Sequence, residues 1–194
     1  MKSYFIAILM LVAVVYMKAQ IPYFNFVCFG KYDNLKSQLD TASNIKFVQD
    51  KASYVDPINR ATYKMLYLEE LVEMEITYSQ YTNEILSIII LYDFIEDYQT
   101  MRVKYNNLTL TIEKMLGKPT MDEKIFKDNY CDGCGGEYTA FYVEKAKFIT
   151  YWKDKDIMVS VGRKKRIEIW YENPANYDLH IRTHQEKQKE LYQL

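Results

Sequence analysis

The segment from Phe94 to Leu116 constrains the fold most strongly, because its side chains repeat at the spacing of one long amphipathic helix. Seven apolar or tyrosine residues follow one another at alternating intervals of four and three, which places them on one stripe of an α-helix: Phe94, Tyr98, Met101, Tyr105, Leu108, Ile112 and Met115. Asp93 can cap the first turn, and Gly117 with Pro119 supplies a stop signal. We therefore predict a helix over about residues 94–116.

Strand-like segments flank this helix on both sides. Residues 72–78 alternate between apolar and polar, and residues 85–92 are apolar on both faces, as in a central strand. Residues 157–161 and 167–171 alternate around a basic turn, which is typical of a hairpin, and residues 147–152 predict a further strand. The stripe could also serve as a coiled-coil or partner-binding seam, but the neighbouring strands favour packing against a sheet.

The order of strands, helix and strands with short links predicts an α+β fold, with a mostly antiparallel sheet packed by one long helix. Residues 61–74 can be interpreted either as two strands or as a helix. Residues 21–60 are expected to hold a strand or two with loops. We expect one domain over residues 20–194, with a polar C-terminal tail of weak helical character over about residues 180–194.

The first 19 residues have the layout of a secretory signal peptide. Lys2 precedes an apolar run over residues 4–17, and the small residue Ala19 follows. The run is shorter than the roughly 20 apolar residues that cross a bilayer. We predict cleavage after Ala19, export to the periplasm or the outside, and no transmembrane segment in the mature chain.

Part of the chain resembles a known group of proteins. The helix ends in Leu-Gly-Lys-Pro at residues 116–119, a strand ends in Trp152, and the alternating strands "DIMVSV" and "IEIWY" follow. Over about residues 85–172 this pattern is similar to a loose group of exported, uncharacterised proteins from Bacteroidota. The resemblance implies an α+β sheet-and-helix domain and assigns no activity to any residue.

Charge and composition limit the kinds of partner that the protein can bind. The formal charge of the chain is −1, and loss of Lys2 and Lys18 with the leader makes the mature chain more acidic, so we expect no nucleic-acid binding. The basic run over residues 163–166 fits a solvated hairpin turn. Nineteen tyrosines suit a contact surface for a protein or glycan partner, and they equally suit the rim of a core.

Two cysteines, Cys131 and Cys134, enclose an Asp-Gly pair that favours a tight hairpin turn. Such a turn brings its flanking residues within reach of a disulfide, and export would deliver the pair to an oxidising compartment. We predict a Cys131–Cys134 bridge, with Cys28 free and buried among aromatic residues. A redox pair is disfavoured because Asp132 opposes thiolate formation and no βαβ unit precedes it.

A zinc site is the remaining interpretation of these cysteines. Cys131 and Cys134 could combine with His180 and His184 into a tetrahedral set, but 45 residues separate the two pairs, whereas zinc fingers have 12–15. We expect two surface histidines and neither metal nor cofactor. The sequence contains no motif of a nucleophile with its base, so we expect a non-enzymatic binding or structural module. The alternative is a hydrolase-like enzyme whose site is not recognisable from sequence.

Cleavage of the leader gives a direct test of export. The chain purified from the cell envelope or medium of its source should begin at Gln20, because the signal peptidase would cut after Ala19. N-terminal sequencing checks this start. Full-length chain recovered from the cytoplasm would contradict the localisation.

Overall fold

The computed structural model of the protein describes residues 30–52, 57–162 and 165–192. The leader and Cys28 lie outside the described residues, as do Arg163 and Lys164 of the basic turn. Within the described part the chain forms one eight-stranded antiparallel sheet with four α-helices. The predicted α+β fold with a mostly antiparallel sheet is therefore confirmed.

The elements follow one another in the order α1 (Tyr32–Thr41), β1 (Ile45–Ala52), β2 (Ile58–Tyr67), β3 (Glu70–Ser79), β4 (Ile85–Leu91), α2 (Tyr98–Leu116), β5 (Met121–Phe126), α3 (Glu137–Tyr142), β6 (Ala146–Trp152), β7 (Ile157–Val161), β8 (Ile167–Glu172) and α4 (Pro174–Tyr192). A short 3₁₀ turn, Lys153–Lys155, links β6 to β7.

The sheet consists of two similar halves. Its strand order is β1-β2-β3-β4-β8-β7-β6-β5, so each half is a helix followed by four antiparallel strands in sequence, with α3 inserted in the second half. The last strands of the two halves, β4 and β8, pair with each other in the middle, where Ile88 lies opposite Tyr171 and Ile90 opposite Ile169. The β4–β8 ladder therefore joins the halves into one continuous sheet.

Helices α1 and α2 cover one face of this sheet. Every second strand residue points toward them and is buried, including Tyr63, Met74, Ile88, Ile169, Val159 and Phe148. Tyr32 of α1 stacks on Tyr78 with ring centroids 3.9 Å apart. In the other half, Tyr105 of α2 packs on Phe148 at 5.3 Å. Each helix thus seals the core of its own half.

The long helix α2 is shorter at its start than its hydrophobic pattern predicted. It begins at Tyr98, because the Asp97 side chain caps it by accepting a hydrogen bond from the Thr100 amide at 2.6 Å; the predicted cap, Asp93, was wrong. Phe94 and Met115 are exposed, whereas the five stripe residues between them are buried. Gly117 ends the helix with a φ of +86°, as its position predicted.

The hairpin between β2 and β3 resolves the ambiguity over residues 61–74 in favour of strands. Tyr67 pairs with Glu70, so Leu68 and Glu69 form a two-residue turn, and both have positive φ, +49° and +66°. A turn of that kind normally carries Asn and Gly. The sequence therefore lacked the expected turn signal at this position.

Four other elements differ from the sequence-based expectation. Helix α1 occupies part of the region where strands and loops were expected, and neither β5 nor α3 was predicted. The segment expected to be a polar tail belongs to α4, a 19-residue helix that starts at Pro174 directly after the sheet ends. Proline is favoured at the first helical position, because its missing N–H has no partner there anyway.

The buried stripe of α2 can be tested by truncating Leu108, which is 6% exposed. Leu108→Ala should lower the free energy of unfolding by about 2–5 kcal/mol, because it leaves a cavity beneath the helix. Leu110→Ala provides the matched control, since Leu110 lies on the same helix but is 53% exposed, and it should change stability by less than about 0.5 kcal/mol. Equal urea midpoints for the two variants would contradict the buried stripe.

Candidate functional site

The second face of the sheet, opposite α1 and α2, carries a mixture of apolar and polar side chains that are only partly buried. Trp170, Met158 and Tyr151 lie next to one another on β8, β7 and β6 of this face and are half-buried. Ile89 of β4 pairs with Trp170 and continues the same line. The register therefore builds an apolar row across the middle of the second face.

A groove of about 840 Å³ runs between this face and the start of α4. Trp170 and Ile89 form part of its floor, while Pro174, Tyr177 and Asp178 of α4 form a wall. The volume lies within the range of ordinary ligand sites. Helix α4 thus shapes the groove directly where the chain leaves β8.

A row of polar residues crosses five strands beside the apolar row and lines the same groove. Each member lies directly opposite the next in the ladder: Lys51 of β1, Arg60 of β2, Thr77 of β3, Ser87 of β4 and Glu172 of β8. The row has two cations at one end, two hydroxyl groups in the middle and a carboxylate at the other end. The groove is therefore electrically bipolar.

The cationic end of the row is only partly neutralised. Lys51 and Arg60 face each other across neighbouring strands, an arrangement of like charges that is unfavourable. Glu75 lies 3.8 Å from the Arg60 Nε atom, but the Arg60 side chain is 59% exposed, so this surface pair is weak. A ligand carboxylate would relieve the repulsion.

The tyrosine excess belongs mainly to the helix-covered core. Eight of the described tyrosines are almost fully buried there: Tyr32, Tyr63, Tyr67, Tyr78, Tyr92, Tyr98, Tyr105 and Tyr171. Their hydroxyls pair largely with one another or with nearby polar groups, as in Tyr32–Tyr63 at 3.1 Å. Burial raises the pKa of Tyr32 and Tyr105, so these phenols stay neutral. The contact-surface interpretation therefore does not apply to these tyrosines.

The chain turns at Asp132-Gly133 as expected, but the cysteine loop lies between β5 and α3, so this turn does not join two strands of a hairpin. Cys131 and Cys134 nevertheless lie at disulfide distance, with their Cα atoms 5.5 Å apart. Gly133 adopts a φ of +88°, whereas Asp132 stays outside the left-handed region. The antiparallel sheet contains no βαβ unit of the thioredoxin type among its described strands.

Side chains on both sides hold this loop in place. Asp132 accepts hydrogen bonds from the Tyr98 hydroxyl at 2.7 Å and from Arg102 at 2.9 Å, which ties the loop to the first turns of α2. Glu137 accepts from the Gly135 amide, and hydrogen bonds from backbone amides, first its own, lower the pKa of this carboxyl. These contacts connect the loop to both α2 and the first residue of α3.

The two histidines lie on α4, apart from the cysteines. His180 is 5% exposed and its Nδ1 atom lies 2.9 Å from the Ser79 hydroxyl, so the expectation of a surface histidine was wrong here. His184 Nδ1 contacts the Tyr81 hydroxyl at 3.2 Å. No group of three or more potential metal ligands occurs in the described part of the chain. The zinc set of Cys131, Cys134, His180 and His184 is therefore not assembled.

The groove itself contains neither histidine nor cysteine among its described lining residues. A serine or cysteine nucleophile activated by histidine is consequently not formed there. Periodicity could have placed Trp170 and Ile89 on the second face, but only the register between distant strands brings the polar row together.

Comparisons with other proteins add no functional assignment. The chain matches no model of a known protein family, no curated protein and no solved structure. Among its described residues, no helix is long and apolar enough to cross a membrane.

The state of the cysteines can be measured by alkylation. The mature protein, unfolded and alkylated without reductant, should gain one label, on Cys28, because Cys131 and Cys134 are at disulfide distance. Intact-mass analysis counts the labels, and prior reduction should raise the number to three. Three labels without reductant would contradict the bridge.

Proposed function

We propose that this protein is an exported, non-enzymatic binding module that holds an extended peptide segment of a partner protein in the groove between α4 and the second face of its sheet. The observation that carries the proposal is the bipolar row from Lys51 to Glu172, which lies beside the half-buried Trp170 in one groove. Charge and apolar contact are thus offered together, as in protein-binding surfaces.

The ends of the row suit opposite charges on the ligand. An acidic ligand side chain would meet Lys51 and Arg60, and a basic one would meet Glu172 and the nearby Asp178 of α4. Complementary charges of this kind fix the register of a partner and speed its association. A neutral glycan would leave both charged ends uncompensated, so the row favours a peptide.

The length of the row agrees with a short extended segment. Five neighbouring strands lie about 4.8 Å apart, so the row spans about 19 Å. An extended chain rises about 3.3 Å per residue, so the two ligand charges would be separated by about six residues.

A bulky apolar ligand side chain between those charges would fill the centre of the groove. Trp170 and Ile89 form an apolar floor there, and Tyr177, which is 46% exposed, forms the adjacent wall. Aromatic side chains in such positions commonly supply most of the binding energy of an interface. Trp170 is therefore the expected anchor.

Two observations support export. The leader over residues 1–19 has the layout of a signal peptide. The cysteine pair at disulfide distance fits an oxidising compartment.

A selection from a random library of displayed ten-residue peptides tests the proposed function. The wild-type protein should enrich peptides in which an acidic and a basic residue, about six positions apart, flank a bulky apolar residue. Binding of a selected peptide is then followed by the fluorescence of Trp170. Trp152→Phe removes the other tryptophan, which is buried and donates to the Gly117 carbonyl at 2.8 Å.

Variants of the groove identify the site. Trp170→Ala and Arg60→Glu should each weaken a selected peptide at least about tenfold, the equivalent of about 1.4 kcal/mol. Isothermal calorimetry measures the loss, and melting curves establish that the variants fold. Leu110→Ala, on the outer side of α2, should bind as the wild type does. Enrichment of the same peptides by Trp170→Ala and by the wild type would refute the groove.

A further inference from the structure

Three aromatic rings surround the ammonium group of Lys165 at the other end of β8. Its Nζ atom lies 3.4 Å from the ring centroid of Tyr138, 5.5 Å from that of Tyr142 and 5.9 Å from that of Phe94. We propose that this aromatic cage is an exchangeable binding site for a quaternary ammonium group, which Lys165 occupies as an internal substitute. The cage is separate from the peptide groove and does not depend on it.

The cage is built from rigid parts that do not need the lysine. Tyr138 and Tyr142 lie four residues apart on α3, so their rings project from the same side of the helix. The Tyr138 hydroxyl donates a hydrogen bond to the Ile95 carbonyl at 2.9 Å, and its ring meets that of Phe94 edge to face at 6.4 Å. The rings are therefore positioned by α3 and by the segment before α2.

The rings are open to solvent. Tyr142 is 66% exposed and Phe94 is 52% exposed, although both are large aromatic residues. Neither Tyr142 nor Phe94 belongs to the buried core. The hydrophobic pattern predicted Phe94 on the buried stripe of α2, but the helix begins only at Tyr98. A ligand could therefore reach the ring faces from solvent without any change in the core.

The surroundings also favour a cation. Partial burial raises the pKa of the Tyr138 phenol, and the nearby exposed carboxylates of Glu96 and Asp97 raise it further. Asp97 also caps α2, so its position is fixed. Negative charge beside electron-rich ring faces is the environment in which aromatic cages bind cations.

Lys165 is an easily displaced occupant. It lies within the β7–β8 turn, where its backbone amide donates to the Gly162 carbonyl at 2.9 Å, so the side chain can leave the rings while the turn stays formed. A primary ammonium is strongly hydrated, so an exposed contact with aromatic rings stabilises it only weakly. A quaternary ammonium is larger and more weakly hydrated, and it can contact all three rings at once.

Lys165 should also lower the apparent affinity of the cage for its ligand. A tethered side chain competes at an effective concentration in the millimolar range. Ligand binding to the wild-type protein is therefore weakened by the fraction of cages that Lys165 fills. Removing the lysine side chain should strengthen binding, which is the opposite of the usual effect of deleting a binding-site residue.

Titration with choline, followed by NMR chemical shifts of the folded protein, tests this inference. Lys165→Ala should bind choline about three- to sixfold more tightly than the wild type. The uncharged isostere of choline, 3,3-dimethyl-1-butanol, should bind at least about threefold more weakly than choline, because it lacks the cation–π attraction. Lys36→Ala is the matched control. Lys36 lies over the single ring of Phe47 at 5.3 Å, so its removal should leave choline binding unchanged.

Ring deletions complete the test. In the Lys165→Ala background, Tyr138→Ala should abolish choline binding. Tyr138→Phe, which keeps the ring and loses only the hydrogen bond to Ile95, should retain most of it. Tyr142→Ala, at the most exposed ring, should weaken binding several-fold without affecting folding. The cage is refuted if Lys165→Ala binds no more tightly than the wild type, or if the isostere binds as well as choline.

A quaternary ammonium could belong to a free solute or to a lipid head group. Sedimentation of Lys165→Ala with phosphatidylcholine vesicles, compared with phosphatidylglycerol vesicles, distinguishes the two sources. If the variant sediments selectively with phosphatidylcholine, the ligand is a lipid head group. If it binds choline but does not sediment with the vesicles, the ligand is a free solute.

Discussion

The pairing of β4 with β8 is the interaction on which the rest of the structure depends. Each half of the chain is a helix with four strands, and the ladder between these two strands makes one sheet of them. Because side chains alternate along a strand, a shift of one residue in this ladder would turn the buried isoleucines of one strand to the other face. Ile88 and Ile90 of β4 fix the register, since both are fully buried opposite Tyr171 and Ile169.

The same register gives the two faces different roles. On the helix-covered face, tyrosines fill much of the core, and their hydroxyls need partners because an unpaired buried polar group is costly. Tyr67 and Tyr171 meet this need across the two halves, with their oxygens 3.3 Å apart. On the second face the register lines up charges and apolar rings in neighbouring rows, and these rows form the proposed peptide groove.

The basic turn between β7 and β8 makes specific contacts with the rest of the protein, in addition to exposing charge to solvent. Arg166 donates to the Tyr92 carbonyl at 2.8 Å and to Glu73 of β3 at 3.2 Å, so it ties the start of β8 to the other half of the sheet. Its neighbour Lys165 turns instead toward the aromatic cage. Adjacent residues of one basic run thus have different surroundings, which composition alone did not indicate.

The sequence by itself determined the local patterns of this protein. Periodicity identified the buried centre of α2 and the strands β3, β4, β7 and β8, and Gly117 marked the end of the helix, because these signals depend on neighbouring residues. The tertiary structure decided the rest. Leu68 and Glu69 turn without an Asn-Gly signal, and His180 is buried only because α4 folds back on Ser79. The row from Lys51 to Glu172 and the cage around Lys165 join residues far apart in the chain, and such contacts exist only once the register of distant strands is set.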